Sequence, residues 1–73
     1  MIFINMPTQQ DYVIDVLNDK TFDGIHYTYK GKQGKMKLLF DAQGEGDPVS
    51  TAKAAIKASP LGTALYFQVG SVD

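Results

Sequence analysis

The stretch Ile25-His26-Tyr27-Thr28-Tyr29-Lys30-Gly31-Lys32-Gln33-Gly34-Lys35-Met36-Lys37-Leu38-Leu39-Phe40 carries the clearest structural signal in the chain. Its first limb alternates, with Ile25, Tyr27 and Tyr29 on one side and His26, Thr28 and Lys30 on the other, the pattern of a half-buried strand. Glycines at 31 and 34 supply positive φ for a turn, and alternation resumes with Met36, Leu38 and Phe40 opposite Lys35, Lys37 and Leu39. The stretch therefore predicts a hairpin of the second and third strands.

Upstream, the apolar run Ile2-Phe3-Ile4 predicts a first strand flanked on both sides, ended by Pro7. Thr8, with Asp11 three residues on, predicts a capped helix reaching about Asn18, with Val13, Val16 and Leu17 as its apolar stripe. Asp11, Asp15 and Asp19 fall on a separate, wet face. Downstream, Asp47 before Pro48 opens a second helix, whose stripe is Val49, Ala52, Ala55 and Ile56 and which Pro60 and Gly62 end. Leu65, Phe67 and Val69 then alternate with Tyr66 and Gln68 in a fourth strand, and residues 70–73 read as a short tail.

The order β-α-β-β-α-β is the ferredoxin-like split arrangement. It implies an α+β domain with a four-stranded antiparallel sheet and, by right-handed crossover, two helices on one face. Strands one and three are then central, and strands two and four are edges. The 73 residues make a single domain, 1–73, too short for a second core. With no cysteine to form a disulfide, its stability rests on packing or on self-association.

Composition excludes several chemistries. The absence of cysteine removes thiol nucleophiles, zinc knuckles and thiolate-held clusters. All seven basic residues are lysine, against eight acidic ones, so the net charge of −1 lacks the cationic excess of strong nucleic-acid binders, and no arginine offers a bidentate grip on phosphate. The first residues have no basic n-region, and no apolar stretch approaches the ~20 residues of a membrane span, so a cytoplasmic location is expected. No cofactor or metal is implied. Asp41-Ala42-Gln43-Gly44-Glu45-Gly46-Asp47 has the spacing of half a calcium loop, but Ala52 stands where the closing glutamate belongs. His26, the single histidine, is the ordinary side chain suited to proton exchange near neutral pH, and no serine stands at a nucleophile turn.

The face of the sheet left open by the helices is the more informative surface. Phe3, Leu39 and Tyr66 are expected there as apolar anchors, with Lys35 and Lys37 steering an acidic partner. These five residues are the candidate site of a non-enzymatic binding or regulatory domain, which takes a protein partner or a second copy on this face or on an edge strand.

Ile2-Phe3-Ile4-Asn5-Met6-Pro7 resembles the first signature of the RNA-recognition motif, a family of the same strand order. The resemblance covers six residues and implies a base-stacking role for Phe3. On the third strand, lysine occupies the positions of that family's outward aromatics, and Phe40 has core parity. Weak single-stranded nucleic-acid binding through the open face is the alternative expectation. A minimal enzyme around His26 is the third; it requires that His26→Ala abolish activity.

Overall fold

The computed structural model describes residues 1–72. The elements, in chain order, are β1 (Ile2–Asn5), α1 (Gln10–Leu17), β2 (Lys20–Phe22), β3 (Ile25–Gln33), β4 (Lys37–Gln43), α2 (Pro48–Ala58) and β5 (Gln68–Ser71). They form an α+β domain with one open sheet of order β2-β3-β4-β1-β5, every pairing antiparallel. No helix among the described residues is long and apolar enough to cross a membrane.

Period-two alternation builds the core. Ile2 and Ile4 stand in register with Phe40 and Leu38, and Tyr29 with Phe40, so one sheet face presents Ile2, Ile4, Ile25, Tyr27, Leu38 and Phe40, all buried. Val13 and Leu17 of α1 and Ala52 and Ile56 of α2 complete the same cluster, which places both helices on that face. Burying a side chain of this size contributes about 1.5–3 kcal/mol. The one hydroxyl in this core, on Tyr27, donates to the Pro48 carbonyl at 2.7 Å.

The sheet has five strands rather than the four expected. The addition is β2, three residues that pair with Ile25–Tyr27 across a tight turn at Asp23 and Gly24. Both turn residues have positive φ, 50° and 80°, as a type I′ hairpin demands. β3 is consequently an interior strand and not an edge. Just before β2 begins, the Asn18 side-chain oxygen accepts from the Tyr29 N–H at 2.9 Å and takes over a strand partner's role.

Local details also depart from expectation. Gln9, in the left-handed region with φ 59°, is the N-cap of α1 in place of Thr8, and no side chain caps the helix. The Gln10 amide instead donates to the Met6 and Lys35 carbonyls at 2.9 and 2.8 Å, tying the start of α1 to the β3–β4 turn. A bulge between Tyr29 and Gly31 sets Lys30 aside from the ladder, so Gly31, not Lys30, lies beside Leu39. Asp47 caps α2 as expected, accepting from the Val49 and Ser50 N–H groups.

The last strand begins at Gln68, three residues later than the alternation from Leu65 suggested. Continuing the β1–β5 register would set Tyr66 opposite Pro7, which has no N–H to donate. At its other end β5 takes in Gly70 and Ser71, which were expected in the tail, and the Val72 N–H donates to the Met1 carbonyl at 3.0 Å. Asp73 of the expected tail lies outside the described residues.

Candidate functional site

Three of the five candidate residues meet on the open face. Phe3 and Leu39 are register partners on β1 and β4, and the Lys37 ammonium sits 4.8 Å from the centroid of the Phe3 ring. That distance is within cation–π range and contributes about 0.5–1 kcal/mol at an exposed site. On its β5 side the Phe3 ring covers Gly70: a Cβ built there would lie 2.5 Å from Phe3 Cζ and 2.7 Å from Cε1. Phe3, Lys37 and Leu39 are each half-buried, so the patch is a supported platform and not a row of projecting side chains.

The other two candidates lie elsewhere. Lys35 belongs to the β3–β4 turn, because the ladder resumes only at Lys37. Tyr66 precedes β5 and, at 71% exposure, is the most exposed large apolar residue described. It borders two grooves. One, of about 220 Å³, is lined by Asn5, Pro7, Met36, Tyr66, Phe67 and Gln68; the other, of about 560 Å³, runs beside Lys53 and Lys57 of α2.

The surroundings of β5 hold most of the exposed apolar surface. Among the described residues the exposed large apolar side chains are Met1, Met36, Leu61, Tyr66 and Val72. Met1 and Val72 are joined by a backbone hydrogen bond at one end of β5, and Met36 and Tyr66 line one groove at the other. Leu61 lies in the turn that follows α2. From Ala58 to Val72 no residue carries an ionisable side chain except Tyr66.

Backbone direction completes this edge. The Val72 N–H bonds to Met1, so alternation along an antiparallel ladder turns Gly70 and Gln68 toward β1 as well. On the far side of β1 the Met6 N–H donates to the Met36 carbonyl, fixing the same alternation from the β4 side. Val69 therefore directs its N–H and C=O away from β1, out of the sheet. Its side chain packs against the core, as do those of Leu65 and Phe67, while Tyr66, Gln68 and Gly70 have the opposite parity. The opposite edge is of another kind: β2 is short, begins with Lys20, and is flanked by Asp19 and Asp23. Charged edges discourage pairing with other chains; β5, at four residues nearly as short as β2, carries no charge.

At the β2 edge, a constellation that sequence reasoning missed brings three residues together. His26 Nδ1 lies 2.9 Å from Thr21 Oγ1, and Nε2 lies 3.1 Å from Asp19 Oδ1. The order hydroxyl–imidazole–carboxylate is that of a nucleophile, base and orienting acid. The groove beside Thr21, however, is walled by Phe22, Asp23, Thr51, Ala54 and Ala55, and His26 does not line it. The arrangement clips the first hairpin, since Thr21 and His26 are cross-strand partners. The Asp23-Gly24 turn was the available signal, because it fixes which residues face each other.

Two further features bear on chemistry. Burial pushes the Tyr27 phenol up to about 12, with the carboxylates of Asp47 and Asp23 adding to the effect. In the 41–47 loop, Asp47 is engaged as a helix cap and Asp41 accepts from the Gln43 amide at 2.9 Å. Among the described residues no group of three or more His, Asp or Glu side chains is arranged to hold a metal ion. No family model matches the chain, and neither a curated protein nor a solved structure is similar to it.

Proposed function

We propose that the chain is a non-enzymatic protein-binding domain that receives an extended strand along β5, with the Phe3–Lys37–Leu39 platform as the adjoining contact surface. The observation that carries this reading is the coincidence, at one sheet edge, of an outward-directed backbone, an uncharged run and most of the exposed apolar side chains. Strand addition needs all three: main-chain hydrogen bonds for affinity, no charge to repel an incoming strand, and apolar contacts to either side. The strand order β3-β4-β1-β5 supports a ferredoxin-like unit, to which β2 adds an edge hairpin that closes the far side to the same use.

Single-stranded nucleic acid is the lesser reading of the same face. The Lys37 ammonium already covers the Phe3 ring, and Tyr66 stands off the strand where a second stacking platform was expected. A residue-resolved amide spectrum separates the two. Addition of uncharged strand-forming peptides should move the signals of residues 66–72, whereas oligonucleotides would move Phe3, Lys37 and Leu39 in a salt-reversible way. Perturbation by oligonucleotides alone would overturn the protein-binding reading.

A further inference from the structure

We infer that the strand received by β5 is β5 of a second copy of this chain, paired antiparallel about a two-fold axis at Val69 and joining the two sheets into one. This rests on the reading of β5 as a contact edge and commits it to one occupant. An antiparallel pairing of like strands is self-complementary under a two-fold axis, so the same surface serves both copies.

The backbone limits the register to those in which outward-facing residues oppose one another, and the mutual cover of Tyr66 and Val72 selects a two-fold at Val69. Because Val69 directs its N–H and C=O outward, it takes the central hydrogen-bonded position, each Val69 bonding the other's carbonyl. The neighbouring positions follow. Gln68 of one copy stands across from Gly70 of the other, where no side chain competes for space beside the Phe3 ring. Tyr66 of one copy stands across from Val72 of the other, at a non-hydrogen-bonded pair where side chains approach most closely. Tyr66 and Val72 are 71% and 39% exposed in the single chain, and this register covers each with the other twice over. A register displaced by one residue from the two-fold would turn inward-facing backbone to the partner and leave both side chains in water.

Charge selects the occupant. Within the run 58–72 itself no side chain is a cation or an anion, so two copies paired along the strand oppose no like charges there, and the nearest cations, Lys53 and Lys57, stand on α2 beside the groove next to Tyr66. A two-fold pairing centred on β2 at Thr21 would instead set Asp19 of one copy across from Asp23 of the other, like charge against like.

Sedimentation of the purified chain over a rising concentration series tests this directly, with a reversible doubling of mass as the expected result. Tyr66→Lys, at an exposed position that leaves the core alone, should weaken the dimer by about ten-fold or more, the equivalent of losing one well-buried side chain. Val69→Pro removes the outward N–H and should abolish the dimer; Tyr66→Lys covers the case in which that variant does not fold. The chain has no native thiol, so a Tyr66→Cys and Val72→Cys double variant reports register. Facing Cα atoms about 4.5 Å apart suit a disulfide, and mild oxidation should yield a covalent dimer. A dimer unaffected by Tyr66→Lys and not captured by the paired cysteines uses another surface and overturns the inference. A chain that stays monomeric also overturns it, and peptide titration then separates the two levels. Val69 shifts on adding an unrelated strand-forming peptide would leave the edge reading standing, and their absence would remove both.

Discussion

Gly62 is a position where a single methyl group should do heavy damage. It is buried against the end of α2, and a Cβ built on it would lie 2.5 Å from the Lys57 carbonyl oxygen and 2.6 Å from its carbon, closer still to the Ile56 oxygen. Those atoms are helix backbone, not the tip of a flexible side chain. Restoring ordinary contact requires the turn or the last turn of α2 to shift by about 1 Å, in a region held by the Ser59 N–H to Ile56 and Gly62 N–H to Ser59 hydrogen bonds. Overpacking of this kind costs about 2–3 kcal/mol. A domain of this length has a total stability of about 4–11 kcal/mol, so Gly62→Ala should remove a large share of it. At roughly 4–8 °C per kcal/mol, the melting temperature should fall by roughly 10–20 °C in thermal denaturation followed by far-ultraviolet circular dichroism. Thr63→Ala, one residue on and exposed, is the control and should stay within about 0.5 kcal/mol of the parent. A Gly62→Ala protein that melts with the parent would refute the reasoning.

Other substitutions probe different terms. Tyr27 has its folded-state pKa raised to about 12 from the ordinary 10, so the fold favours the protonated phenol. Stability from this source is intact below pH 10 and lost as pH rises toward 12, by about 2–3 kcal/mol in all. Tyr27→Phe should flatten that alkaline decline in urea titrations while costing about 1 kcal/mol at neutral pH for the lost bond to Pro48. A double-mutant cycle on Phe3→Leu and Lys37→Met should return a coupling of about 0.5–1 kcal/mol if the ammonium engages the ring. Asp47→Ala should destabilise by about 1 kcal/mol through the lost cap, whereas Asp47→Asn should retain most of it.

What the sequence conveyed follows the length of its periodic runs. Ile25–Phe40 alternates long enough to announce a hairpin, and Asp47-Pro48 announces the start of α2. β2 escaped because three residues cannot establish a period, although Asp23-Gly24 is a strong two-residue hairpin signal. The pattern around Tyr66 conveys its parity but not its setting outside β5. Its alternation with Leu65 and Phe67 reflects burial, but the ladder cannot reach it because Pro7 stands across from it, which only the register reveals. The lysines expected beside it were divided by the Gly34 turn, which leaves Lys37 on the strand and Lys35 outside it. Phe3 and Leu39 were legible as neighbours because both lie inside uninterrupted strands. The outward direction of Val69 depends on which residues of β5 bond to β1, a property of pairing that no local pattern encodes.

Amide hydrogen exchange at Val69, compared with Gly70 in dilute and concentrated protein, tests the central claim most directly. The two residues are adjacent in one strand and differ in where their N–H groups point. The account predicts that Gly70 is protected at every concentration, whereas Val69 exchanges freely when dilute and becomes protected as the protein is concentrated. Fast exchange at Val69 throughout, or protection already equal to that of Gly70 in dilute solution, would contradict it.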